Sequence, residues 1–146
     1  PESRGTVRLG SPDPAAAPVI DPNFLVDPRD IACLRAGVRL SHRIVEAPAL
    51  QAFGPKDRHP VNLDDDAALD DLIRSRADTV YHPVGTCRMG VDEGAVVDPT
   101  LKLNGLEGLW VADASVMPKI VGGNTNAPSI MIGERCADFV IAAERA

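Results

Sequence analysis

Aromatic residues are scarce in this sequence: one Trp, one Tyr and three Phe, or 3% of 146 residues. A core must therefore be built from Val, Ile, Leu and Ala. The aromatics are also too few to show the cage that would recognise a quaternary ammonium group. Positive charge is short as well, with 15 Lys and Arg against 21 Asp and Glu and a net charge of -6. That balance argues against nucleic acid, which rewards a basic face through counterion release. No apolar run approaches the roughly 20 residues that span a bilayer. No leader pattern is visible either, so the expectation is a cytoplasmic protein, with membrane association of a longer enzyme left open. The three cysteines, Cys33, Cys87 and Cys136, cannot all pair, and none forms a Cys-x-x-Cys. Structural zinc, or any other metal site, is therefore not expected, and a reducing compartment is. No Gly-x-Gly-x-x-Gly follows a strand, and both a Walker loop and a Gly-x-Ser-x-Gly elbow are missing. Ser115 accordingly has no familiar catalytic company. The chain opens on Pro1 rather than Met, which reads as a piece of a longer polypeptide.

The length suits one domain with a real core, and a hydrophobic content of 45% is ordinary for a soluble one. The pattern is α+β, with short strands and three helices. Gly5-Thr6-Val7-Arg8-Leu9 and Val19-Ile20 read as strands separated by Pro-rich turns. Asp27-Pro28-Arg29-Asp30 is a helix entry: an acceptor for free amides, a proline for the first position, and a carboxylate for the positive dipole end. Ile31, Leu34, Val38, Ile44 and Val45 share the apolar side of that helix, which should stop near Ala47. Arg29, Arg35, Arg39 and Arg43 should be mostly solvated on the other faces, and His42 belongs with them. Residues 51–64 read as a loop in which His59 is solvated. Asp64-Asp65-Asp66 lacks the alternation of a calcium loop. It reads as the acidic start of a second helix that runs to about Arg76 and buries Leu69, Leu72 and Ile73. Ala95–Asp98, Leu101–Leu103 and Leu109–Ala112 are candidate strands around Pro99 and the Asn104-Gly105 turn. Gly122-Gly123-Asn124-Thr125-Asn126-Ala127-Pro128 leads into a last helix, with Asn as a good N-cap and Pro128 in the first turn.

Chemistry is most plausible in Tyr81-His82-Pro83-Val84-Gly85-Thr86-Cys87-Arg88-Met89-Gly90. A histidine fixed in a stiff, Gly-punctuated loop can transfer protons near neutrality. Asp113, just beyond an apolar strand, either contacts a ligand or only caps the next turn; local sequence leaves both open. The N-terminal amides of the last helix suit negative charge, though an ordinary core helix would carry the same residues.

Residues from about Thr79 to Phe139 resemble the C-terminal end of the glucose–methanol–choline (GMC) flavoprotein oxidoreductases. The likeness is carried by the His82 stretch, by Val111-Ala112-Asp113-Ala114-Ser115-Val116-Met117-Pro118, and by Asn124-Thr125-Asn126-Ala127-Pro128, in one order and spacing. Ile132-Gly133-Glu134-Arg135-Cys136-Ala137-Asp138 looks like the family's terminal helix. Ser3-Arg4-Gly5-Thr6-Val7 and Ile20-Asp21-Pro22-Asn23-Phe24 extend the likeness upstream, with the flavour of the choline-dehydrogenase-like branch.

The resemblance implies that His82 is the base taking the alcohol proton while hydride passes to flavin N5, and that Asn124 hydrogen-bonds the substrate oxygen. It implies that Tyr81, Asp113, Ala114, Thr125 and Asn126 border the FAD. Residues 1–146 would be the C-terminal substrate and catalytic domain, its strands completed by a larger sheet and its last helix returning to the FAD domain. The FAD-binding Gly-x-Gly-x-x-Gly part would be a separate, N-terminal partner. Alone, this chain should hold FAD poorly, be inactive, and self-associate through surfaces normally covered. The alternatives are a non-catalytic partner-binding or scaffold module of the same shape, and a lyase built on it. Which alcohol is the substrate, and which acceptor takes the electrons, are not legible in these residues.

Overall fold

The computed structural model describes residues 1–145 and divides into two compact units, Pro1–Asp78 and Thr79–Ala146. In the first unit, β1 (Thr6–Arg8) pairs antiparallel with β2 (Val19–Asp21), with Val7 opposite Ile20. Gly5 has to be small here, because a Cβ on it would lie 2.2 Å from the Asp21 carbonyl oxygen. Helix α1 (Pro28–Val45) begins as its sequence predicts, with the Asp27 carboxylate accepting from the Arg29 amide and Pro28 in the first turn. A four-residue helix that the sequence reading lacks, α2 (Pro48–Gln51), follows it. Pro48 ends α1 but is also pre-set for a first helical position, so it starts a new turn. Helix α3 (Asp66–Arg76) is capped by Asp65, whose carboxylate accepts from the amides of Ala67 and Ala68 at 2.9 and 3.1 Å.

Arg29 and Arg43 are exposed as expected, whereas Arg35 and Arg39 depart from expectation. Arg35 pairs with Asp66 and approaches Asp70 at 3.3 Å, and Arg39 bridges Asp66 at 2.5 Å while donating to the Leu63 carbonyl. The acidic start of α3 gives these guanidinium groups partners that a reading of α1 alone does not supply. Arg39, followed by Arg35, holds the Asp66 carboxyl below its usual range. The apolar face of α1 is also less covered than its spacing predicts. Ile31 is buried, but Leu34, Ile44 and Val45 are exposed. In α3, Leu69 and Ile73 are buried and Leu72 is half-buried.

Asp30 fastens the start of the chain to α1. Its carboxylate accepts from the amides of Glu2 and Ser3 and from the Ser3 hydroxyl, and together these hold its pKa near 2 against an ordinary 3.8. A depressed carboxyl pKa contributes stability that is present above the unfolded value and lost as pH falls through the folded one. Asp30→Asn should therefore speed amide exchange at Glu2 and Ser3 at neutral pH. Acidifying the parent from pH 4 to pH 2 should narrow the difference, since about half of the carboxylate is protonated by then; equal exchange rates at neutral pH would remove Asp30 from that role.

The second unit has a core of Val97, Leu101, Val116, Met117, Ile132 and Cys136. Among the described residues it contains no strand. The segments expected as strands between Ala95 and Ala112 make only isolated bridges, Met89 to Val97, Val97 to Leu103 and Lys102 to Trp110. The reason lies around Pro99. Asp98 folds its carboxylate onto the Thr100 amide and hydroxyl and the Lys102 amide, and Leu101 follows at φ 65°. A left-handed residue two positions past a proline turns the chain before a ladder can extend. Helix α4 (Asn126–Glu144) buries Ile132 and Cys136 and leaves Ile130, Met131 and Ile141 exposed. It is apolar on more than one side, and this unit covers only one of them. Burial pushes the Cys136 thiol up, so it stays protonated at neutral pH. Among the described residues no helix is long and apolar enough to cross a membrane.

Candidate active site

His82 is placed by its backbone neighbours. Tyr81 before it sits at φ 61°, a conformation that costs a bulky residue about 1–3 kcal/mol. Pro83 after it biases His82 itself toward an extended backbone. Gly85 reverses the chain at φ 90°. Beyond the bend the segment is tied to the core, where the Cys87 amide donates to the Ser115 carbonyl at 3.0 Å and the Met89 amide to Val116 at 2.8 Å. The His82 loop and the Asp113–Val116 turn are thus laced together.

The imidazole is half-buried and both its nitrogens are in polar contact. Nε2 lies 3.3 Å from Asn124 Oδ1, across 42 positions of sequence. Nδ1 lies 3.1 Å from Thr125 Oγ1. Because Asn124 Oδ1 faces the ring, the two N–H donors of the amide are the groups left for a ligand oxygen. An imidazole with an amide on one side and a hydroxyl on the other can accept a proton and stabilise the charge it gains.

The N-terminus of α4 is built differently from expectation. Thr125, not an asparagine, is the N-cap residue, at φ -84° and ψ -5°, and it makes no side-chain cap bond. An N-cap normally has an extended backbone, from which its oxygen reaches the amides of the first turn. Thr125 is already helical, so its hydroxyl turns to His82, while the Ser129 amide and hydroxyl donate to its carbonyl at 3.0 and 2.7 Å. The first-turn amides of Asn126 and Ala127 therefore receive no cap, and no acidic side chain occupies that turn. The family resemblance places Thr125 beside the FAD but does not foresee the contact of its hydroxyl with His82. A threonine at a helix start reads as an ordinary cap, and only the φ and ψ show otherwise.

The other site residues make their own contacts. Asp113 caps the 3-10 turn Ala114–Val116, its Oδ1 accepting from the Ser115 amide at 2.7 Å. The capping alternative is thus realised, and it commits one carboxylate oxygen. Ala114 packs on the core. Tyr81 is 76% exposed, with its amide donating to Thr79 Oγ1. Among the described residues, chain neighbours aside, nothing lies within 4 Å of a Cβ built on Gly122 or Gly123, so packing among them does not require these glycines to be small.

The C-terminal model of the GMC oxidoreductase family matches residues 1–133. An alcohol dehydrogenase [acceptor] of Pseudomonas putida is 48% identical over 144 residues, which are 97% of this chain and 26% of that protein. An oxygen-dependent choline dehydrogenase of Klebsiella pneumoniae is 46% identical over 139 residues, 94% of this chain and 25% of its own length. Among solved structures, an Aspergillus oryzae formate oxidase, studied for modification of its FAD, superposes with a TM-score of 0.88 at 33% identity, covering 97% of this chain and 25% of that one. The chain therefore spans about a quarter of the length of these relatives. On the match over residues 1–133 and on this shared fold, the chain belongs to the GMC oxidoreductase family.

Proposed function

We propose that this chain is the C-terminal catalytic portion of an FAD-dependent alcohol- or choline-type dehydrogenase or oxidase, in which His82 is the general base. The observation that carries the proposal is the pairing of His82 with Asn124, two residues 42 positions apart whose polar atoms meet at 3.3 Å. An imidazole nitrogen can accept a proton, whereas an asparagine amide cannot take one in water. His82 Nε2 therefore accepts the hydroxyl proton, and the Asn124 amide donates to the substrate oxygen.

The residues present fit a flavin. The first-turn amides of α4 receive no side-chain cap and suit a group that gains negative charge, and the open space at Gly122 and Gly123 admits close approach from outside the chain. Tyr81, Asp113, Ala114, Thr125 and Asn126 would border it, with its main anchor in the N-terminal part of the enzyme. Bound FAD would supply the two-electron acceptor for the hydride leaving the carbinol carbon. The balance is then an alcohol losing a proton to His82 and a hydride to the cofactor, giving the carbonyl compound.

The test is anaerobic mixing of the full-length, FAD-loaded enzyme with a panel of primary alcohols that includes choline. Bleaching of the flavin absorbance with one carbonyl product per flavin is expected. A flavin that no member of the panel reduces would favour the lyase or the non-catalytic module.

A further inference from the structure

We propose that Thr125 is the positioning residue that sets the protonation pattern of His82; the inference rests on the reading of His82 as the base. To accept a proton from an alcohol at Nε2, a neutral imidazole must carry its own proton on Nδ1. The tautomer of a histidine is set by the hydrogen bond its other nitrogen makes. In this structure the group at Nδ1 is the Thr125 hydroxyl, at 3.1 Å. Its oxygen accepts from Nδ1–H once the substrate hydroxyl takes the place of Asn124 Oδ1 at Nε2; before that, the amide oxygen at 3.3 Å calls for a proton on Nε2, and the Thr125 hydroxyl turns to donate to Nδ1.

The same contact serves the state that follows. Once Nε2 has taken the proton, the ring is an imidazolium and both nitrogens are donors. Each then faces an oxygen, Oγ1 of Thr125 on one side and Oδ1 of Asn124 on the other. The arrangement satisfies the protonated ring at both nitrogens, and of the two neutral tautomers only the one protonated on Nε2, with the Thr125 hydroxyl donating to Nδ1. The side chain is also committed to this task in a way a spare surface threonine is not. It gives up the cap bond of a 19-residue helix, and its carbonyl is held by two bonds from Ser129.

The test compares Thr125→Val, Thr125→Ala and Thr125→Ser in the full-length, FAD-loaded enzyme, with His82→Ala alongside. Valine keeps the β-branch and loses the hydroxyl, alanine removes both groups beyond Cβ, and serine restores the hydroxyl. None of the three removes a cap bond, since Thr125 makes none. The readouts are the rate of anaerobic flavin reduction and the pH profile of kcat/KM for the alcohol. Valine and alanine should each slow reduction by about tenfold and leave KM nearly unchanged. Both should also move the acidic limb of the profile down by about one pH unit, because the imidazolium has lost an acceptor. Serine should return both values to those of the parent. A merely structural threonine would not shift the limb in that direction or be rescued by serine. Parent-like rates and limbs in both valine and alanine, with His82→Ala inactive, would overturn the positioning role alone. A His82→Ala enzyme of parent-like rate would overturn the base reading and this inference together.

Discussion

Replacing His82 by Ala in the full-length, FAD-loaded enzyme should lower alcohol oxidation by about 10²–10⁴-fold, the usual contribution of a positioned general base. The loss should fall on kcat and on kcat/KM alike, because the imidazole acts on the proton in flight and not on the whole substrate. His82 is the only histidine after Thr79, so no second imidazole stands in this unit to replace it. With the base gone, proton removal falls to solvent. The residual rate should then climb steadily with pH instead of levelling off. Steady-state rates across pH 5 to pH 10, normalised to flavin content, decide the matter. A variant within about threefold of the parent, with the parent's acidic limb intact, would place the base elsewhere.

Much of the fold, and part of the site, can be traced to individual residues of the sequence. The Asp27 and Asp65 caps and the Pro28 position are local chemistry, so α1 and α3 begin where their side chains say they should. The His82 loop is readable for the same reason, since Pro83 and Gly85 restrict the backbone whatever surrounds them. Features decided by a distant partner are not readable in this way. Arg35 and Arg39 look solvated in α1 alone, and find their carboxylates only when α3 packs alongside. The strands expected after Ala95 carry suitable residues, but a single left-handed Leu101 and the Asp98 turn reduce them to bridges. Thr125 is the sharpest case. Its residue type is right for a cap, its backbone angles are wrong for one, and the hydroxyl goes to His82 instead.

Asn124→Asp should cost about 10²–10³ in the rate of flavin reduction, the scale found when one donor to a developing oxyanion is removed. The exchange is nearly isosteric, so it separates two roles that alanine would abolish together. An aspartate keeps an acceptor oxygen at the 3.3 Å position facing His82 Nε2, and so preserves whatever Asn124 does for the ring. It loses both N–H donors and adds a negative charge where the substrate oxygen is itself becoming negative. A carboxylate this close also favours the imidazolium and raises the His82 pKa. The acidic limb should then move to higher pH, opposite to the shift expected for Thr125→Val. The decisive measurement is the rate on the plateau above that limb, where His82 is neutral again in both enzymes. If Asn124 acts only through the charge on His82, the plateau returns to the parent value once the ring is deprotonated, and the proposed contact with the substrate oxygen is wrong. If Asn124 holds the substrate oxygen, the plateau stays depressed at every pH, because no titration restores an N–H to a carboxylate.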